Sequence, residues 1–158
     1  MKRITSTLLL LAVFFISACK KESTDEIQGG ANVSFKVNGT FKQASGDIKV
    51  TAFHYLSEKS LQLVGNLDNN QGISFIIENY NGVGEYDVAG NNVIASYITD
   101  LNGGLNGSQL GSTGSIKITT ATDKVVKGTF QFVVLDPNTN VLISTISEGK
   151  FETKLTSI

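Results

Sequence analysis

Short runs of alternating apolar and polar residues, broken by Asn-Gly, Gly-rich and Asp/Asn-rich stretches, recur from Val33 to Leu155 and leave little choice of fold. Val33, Phe35 and Val37 alternate with Ser34, Lys36 and Asn38. That period of two puts one set of side chains on each face of a strand. Asn38-Gly39 follows, and Phe41 begins the return. Asn-Gly favours a two-residue hairpin, because both central residues of a type I′ turn need positive φ. The same grammar makes strands of Asp47–Leu56, Ser60–Leu67, Ile73–Ile77, Glu85–Val88, Ser115–Thr122, Val125–Leu135, Val141–Ser147 and Lys150–Leu155.

Two stretches are less plain. In Asn92–Leu101 the apolar residues Val93, Ile94, Tyr97, Ile98 and Leu101 sit at helical spacing. They are mostly β-branched or aromatic and are hemmed in by glycine, so the segment reads as a strand. Residues 102–114 read as a long Gly/Asn/Ser loop. Gly128, inside a strand, signals a bulge or a close approach. Strand and helix never alternate, which disfavours a parallel α/β sheet. The expectation is an all-β fold, an antiparallel β-sandwich or flattened barrel of about ten short strands.

The first 31 residues follow another rule. Lys2 and Arg3 precede nine unbroken apolar residues, Leu8 to Ile16. That is the layout of a secretory signal. Nine residues are too few to span a bilayer, which takes about 20. Ile16-Ser17-Ala18-Cys19 resembles the bacterial lipobox, which implies cleavage after Ala18 and lipidation of Cys19, the one cysteine in the chain. A plain secretory signal would instead leave Cys19 as a lone thiol on an exported protein, an unusual outcome. One acyl chain binds a membrane marginally, whereas two or three hold it firmly. The organisation expected is a cleaved signal over 1–18, a lipidated cysteine and flexible tether over 19–31, and a single all-β domain over 32–158. Twelve tether residues after Cys19 reach about 20 Å on average. Their order, Lys20-Lys21-Glu22 and then Asp25-Glu26, resembles the export signals of Bacteroidota surface lipoproteins and equally suits a solvated linker.

Composition excludes more than it assigns. Loss of residues 1–18 removes Lys2 and Arg3 and shifts the formal charge from −1 to −3, and no basic patch suits nucleic acid. The remaining 140 residues are enough for one core without disulfides. With one histidine, His54, and Cys19 carrying lipid, zinc has no ligand set. Asp136-x-Asn138-x-Asn140 opens like a calcium loop, but Val141 follows where glycine is needed and Ser147 stands where the bidentate glutamate belongs, so a hairpin turn is the better reading. His54 lies between Phe53 and Tyr55 with no obvious partner, which suits a structural or surface role. Glu85 and Asp87 share a face of one strand, a spacing that paired-carboxylate hydrolysis uses and that solvent faces also show. Tyr55, Tyr80, Tyr86 and Tyr97 are the aromatics available to hold a glycan, and tryptophan is absent. No catalytic, metal-binding or cofactor-binding residue is assigned, and ligand-binding residues are left open.

Phe35-Lys36-Val37-Asn38-Gly39-Thr40-Phe41, Gly84-Glu85-Tyr86-Asp87-Val88, Gly114-Ser115-Ile116-Lys117-Ile118-Thr119, Lys127-Gly128-Thr129-Phe130-Gln131-Phe132 and Gly149-Lys150-Phe151-Glu152 together resemble a family of small Bacteroidota outer-membrane lipoproteins. The resemblance implies an antiparallel β domain on the outer membrane and, since the family carries no established activity, transfers no functional residue. The expected function is a non-enzymatic binding module at the cell envelope, with a glycan, a peptide or an envelope protein as partner. A lipocalin-like barrel around a small apolar ligand and an envelope hydrolase are the alternatives. The barrel would need a cavity of roughly 300 Å³. The hydrolase would need His54 or the Glu85/Asp87 pair in a cleft with convergent polar groups.

Overall fold

The computed structural model describes Ile27 and residues 29–90 and 92–158. The expected signal, Ala18, Cys19 and most of the tether lie outside these residues. Among the described residues eleven strands run in chain order: β1 (Asn32–Val37), β2 (Thr40–Ser45), β3 (Val50–Tyr55), β4 (Ser60–Asn66), β5 (Gly72–Ile77), β6 (Gly84–Asp87), β7 (Val93–Ile98), β8 (Ser108–Leu110), β9 (Thr113–Ala121), β10 (Val125–Leu135) and β11 (Leu142–Ser157). No helix among the described residues is long and apolar enough to cross a membrane.

The alternation does its expected work. Val33 and Phe35 are fully buried, while Ser34 between them and Lys36 after them are half-exposed. Asn38 and Gly39 take φ of 47° and 82°, and Val37 pairs with Thr40 across this two-residue turn. The ambiguous segment 92–101 is strand β7, paired with β5 from Val93 to Ile98.

The sheet follows the path β6-β9-β10-β11-β3-β4-β5-β7-β8, with β1 on β11 and β2 on β1. It curls into two layers: β6, β9, β10, β11, β1 and β2 form the first, and β3, β4, β5, β7 and β8 the second. Two segments pass between them. Strand β11 pairs with β1 as far as Glu152 and with β10 as far as Lys154, and then runs parallel to β3, Leu155 opposite Ala52. After β8, Gly111 donates to the Ala95 carbonyl and Ser112 to the Val133 carbonyl, carrying the chain back to the first layer. The result is the expected all-β sandwich or flattened barrel. Phe35, Phe75, Phe130 and Phe151 fill the space between layers, with Phe75 5.2 Å from Phe130 and 5.5 Å from Phe151.

Several features depart from the expectation. Residues 47–49 form a turn, so β3 begins only at Val50. Val141–Ser147 and Lys150–Leu155 are one strand, bent by a bulge at Glu148-Gly149 where the register with β10 and β1 slips. Residues 102–114 are not one loop: Leu101–Gly107 is a 3₁₀ segment, β8 follows, and β9 starts at Thr113. Asp100 starts the 3₁₀ turns, its carboxylate accepting from Asn102 N and its carbonyl from Gly103 N. One pairing, β11 with β3, is parallel. Gly128 is a close approach, since a Cβ there would run into the Lys117 carbonyl and the Phe151 ring, and the bulge beside it lies on β9 at Thr119, where the register slips.

Candidate functional site

The two outer faces differ in kind. On the first layer the outward side chains include Lys36, Lys117, Lys127, Lys150, Glu85, Glu148 and Glu152. Lys36 pairs with Glu148 at 2.7 Å and Lys127 with Glu152 at 2.8 Å. Phe41, Glu85, Lys117, Thr129, Glu148 and Lys150 line a shallow groove of about 530 Å³ there. Such ion pairs at a wet surface contribute about 0–1 kcal/mol each. They mark a solvated face.

On the second layer the inward residues are Val50, Ala52, Leu61, Leu63, Ile73, Phe75, Ile77, Val93, Ala95 and Tyr97, all buried. The outward residues are set by the same alternation and by register. Phe53, Gln62, Ile76 and Ile94 form one row across β3, β4, β5 and β7; Thr51, Val64, Ser74, Ser96 and Leu110 form the next, reaching β8. None of them is charged. The charges flanking these strands, Lys49, Glu58, Lys59, Asp68 and Glu78, fall outside them, in turns or just past a strand end. Ile94 is 48% and Leu110 60% exposed. Tyr55 extends the face beside Phe53, the rings 6.4 Å apart. Polar members are paired among themselves: the Ser74 and Ser96 hydroxyls lie 2.8 Å apart, and the Tyr55 hydroxyl donates to Gln62 Oε1 at 3.4 Å. The face is therefore aromatic at one side and uncharged across its rows, with the Asp47–Lys154 ion pair bordering it beside Thr51 and Phe53. Depletion of charge with aromatic enrichment is the signature of an interface core.

Of the residues singled out from sequence, His54, Tyr80 and Tyr86 come together in one ring cluster. His54 lines a cleft of about 340 Å³ with Tyr80, Asn81, Asp123 and Ser157, and its ring meets Tyr80 edge-on at 5.1 Å. Tyr80 is buried and stacks on Tyr86 at 5.9 Å; burial first, then Tyr86, push its hydroxyl up to about 12. That hydroxyl is sealed from solvent with no hydrogen-bond partner among the described residues. Burial also raises the hydroxyl of Tyr97, which donates to Gln71 Oε1 at 3.2 Å. Tyr80 and Tyr97 are thus core residues and Tyr86 is half-buried, leaving Tyr55 as the tyrosine on an open sheet face.

Glu85 and Asp87 share a face, as expected, but each has its own neighbour. Glu85 pairs in register with Lys117, and the Asp87 carboxylate accepts from Ala89 N at 2.9 Å to close the next turn. Asp136 is a turn residue. One carboxylate oxygen accepts from Thr139 N at 2.8 Å and from Asn138 N and the Thr139 hydroxyl at 2.9 Å. Those bonds hold its carboxyl below the usual range. Among the described residues no three His, Cys, Asp or Glu side chains gather to hold a metal ion.

Sequence reasoning missed the uncharged face. Its signal is nonetheless present: β3, β4, β5 and β7 contain no Asp, Glu, Lys or Arg at all. No family model, curated protein or solved structure matches this chain.

Proposed function

We propose that this chain is a lipoprotein of the outer membrane, held through a lipidated Cys19, whose domain is a non-enzymatic binding module for a protein of the cell envelope. The observation that carries the binding assignment is the uncharged face made by Phe53, Tyr55, Val64, Ile76 and Ile94, set against a first layer laced with ion pairs. A stable partner covers apolar area there without desolvating a charge. Glycan binding is the weaker choice, because two of the four tyrosines that would cradle a sugar are packed in the core. The filling of the interior by Phe35, Phe75, Phe130 and Phe151 favours binding on the outside over a ligand held within.

The anchor rests on the lipobox-like run ending at Cys19. Mass spectrometry of the mature N-terminus is expected to give acylated Cys19; a free thiol at that position, or an intact residue 18, refutes it. Ile76→Lys tests the face. It is expected to abolish partner binding while leaving the unfolding transition nearly unchanged, and partner binding that survives a folded Ile76→Lys variant contradicts the assignment.

A further inference from the structure

Ile48 is 93% exposed, far beyond the next large apolar side chain among the described residues, Val83 at 63%. It sits on the turn between β2 and β3, and that turn is built firmly: Lys49 N and Val50 N both donate to the Gly46 carbonyl at 3.0 Å. The turn is also bound to the start of the domain, with Gly46 N donating to the Ala31 carbonyl at 2.7 Å. Asp47, beside Ile48, is ion-paired with Lys154. Both line a cleft of about 560 Å³ with Ile27, Gly30, Lys124 and Leu155. The chain therefore enters the domain at the corner that displays Ile48.

We infer that this corner rests on the phospholipid bilayer, with Ile48 entering the interface between headgroups and acyl chains. The inference rests on the lipid-anchor reading. Ile27 is eight residues from Cys19, and eight residues span at most about 28 Å whatever their conformation. A lipid at Cys19 thus keeps the corner within reach of the membrane permanently, so a weak contact is made at a high effective concentration. The chemistry of the corner suits the contact. An isolated β-branched apolar side chain on a rigid turn gains nothing from water and loses nothing on the domain by leaving it. The nearby charges balance: Lys49 pairs with Asp68 and Lys154 with Asp47, while Lys124 follows Asp123 in its turn. No net repulsion from anionic headgroups opposes approach, and the lysine stems can lie along the interface with their ammonium groups in water.

The test uses the mature protein, lipidated at Cys19, in vesicles of phosphatidylethanolamine and phosphatidylglycerol. Ile48→Cys supplies the one free thiol, since Cys19 carries the lipid, and takes an environment-sensitive fluorophore. Leu142→Cys, also exposed but at the start of β11, is the comparison. On vesicles, emission at position 48 is expected to shift to the blue and aqueous iodide quenching to fall several-fold, with no change at position 142. Amide exchange over residues 46–49 of the unsubstituted protein is expected to slow in parallel. Protein that pellets with vesicles while position 48 stays fully quenchable overturns the inference and spares the anchor. Protein that does not pellet at all overturns both.

Discussion

Gly149 and Phe130 stand so close that a Cβ on Gly149 would fall 2.5 Å from the Phe130 carbonyl oxygen and 2.6 Å from its ring. Glu148, just before it, takes a φ of 53°, and the two residues form the bulge that bends β11. The bulge lies within the stretch that pairs with β10 and β1, ahead of the point at Leu155 where the strand meets β3. Gly149→Ala is therefore expected to cost about 1–3 kcal/mol through overpacking, seen as a lower urea midpoint at unchanged slope. A midpoint equal to that of the unsubstituted protein would show that the bulge is not tightly packed.

The turn at Asp136 predicts a pH dependence. Hydrogen bonds from Thr139 N, Asn138 N and the Thr139 hydroxyl favour the carboxylate and lower its titration below the ordinary value. A group depressed in the folded state contributes stability above its unfolded pKa, about 3.9, and loses that contribution as pH falls through the folded value. Asp136→Asn is thus expected to lower stability at pH 7 and to flatten the decline below pH 4. NMR titration of the Asp136 carboxyl checks the cause directly; a midpoint at the ordinary value would refute it.

Tyr80 predicts the opposite sign at the other end of the scale. Its hydroxyl is buried without a partner and pushed up to about 12 by burial. A raised value favours the protonated form, so the contribution is present below the unfolded pKa near 10 and disappears as pH rises through 12. Removing an unpaired buried hydroxyl is neutral to favourable, since its desolvation penalty of about 1–3 kcal/mol goes with it. Tyr80→Phe is expected to unfold no earlier than the unsubstituted protein at pH 7 and to lose part of the decline above pH 10. Clear destabilisation at pH 7 would mean that the hydroxyl has a partner, such as a buried water.

Most of the architecture was legible because period-two alternation is a local signal. Val33, Phe35 and Val37 declare their face without help from distant residues, and Asn38-Gly39 fixes its turn by backbone sterics alone. The missed features are non-local. Nothing near Glu148 announces that β11 continues past it, because the bulge is set by where β10 and β1 lie. The parallel contact of Leu155 with Ala52 joins residues 103 apart in the chain. The 3₁₀ segment depends on Asp100 gathering amides, which glycine-rich composition disguises as a loop. The uncharged face was legible in principle, since four strands lack charge altogether, but it becomes a surface only when the register sets Phe53, Gln62, Ile76 and Ile94 side by side. Ile48 stood inside a segment read as strand, and its exposure follows from the turn that replaces the strand's first residues.

Site-specific photo-crosslinking in intact cells tests the central claim most directly. A photoreactive residue placed at Ile94, on the uncharged face, is compared with one at Lys117 on the ion-paired face. The account predicts one discrete crosslinked envelope protein from position 94, lost in the Ile76→Lys background, and none from position 117. Crosslinking from position 117 with none from position 94 would contradict it.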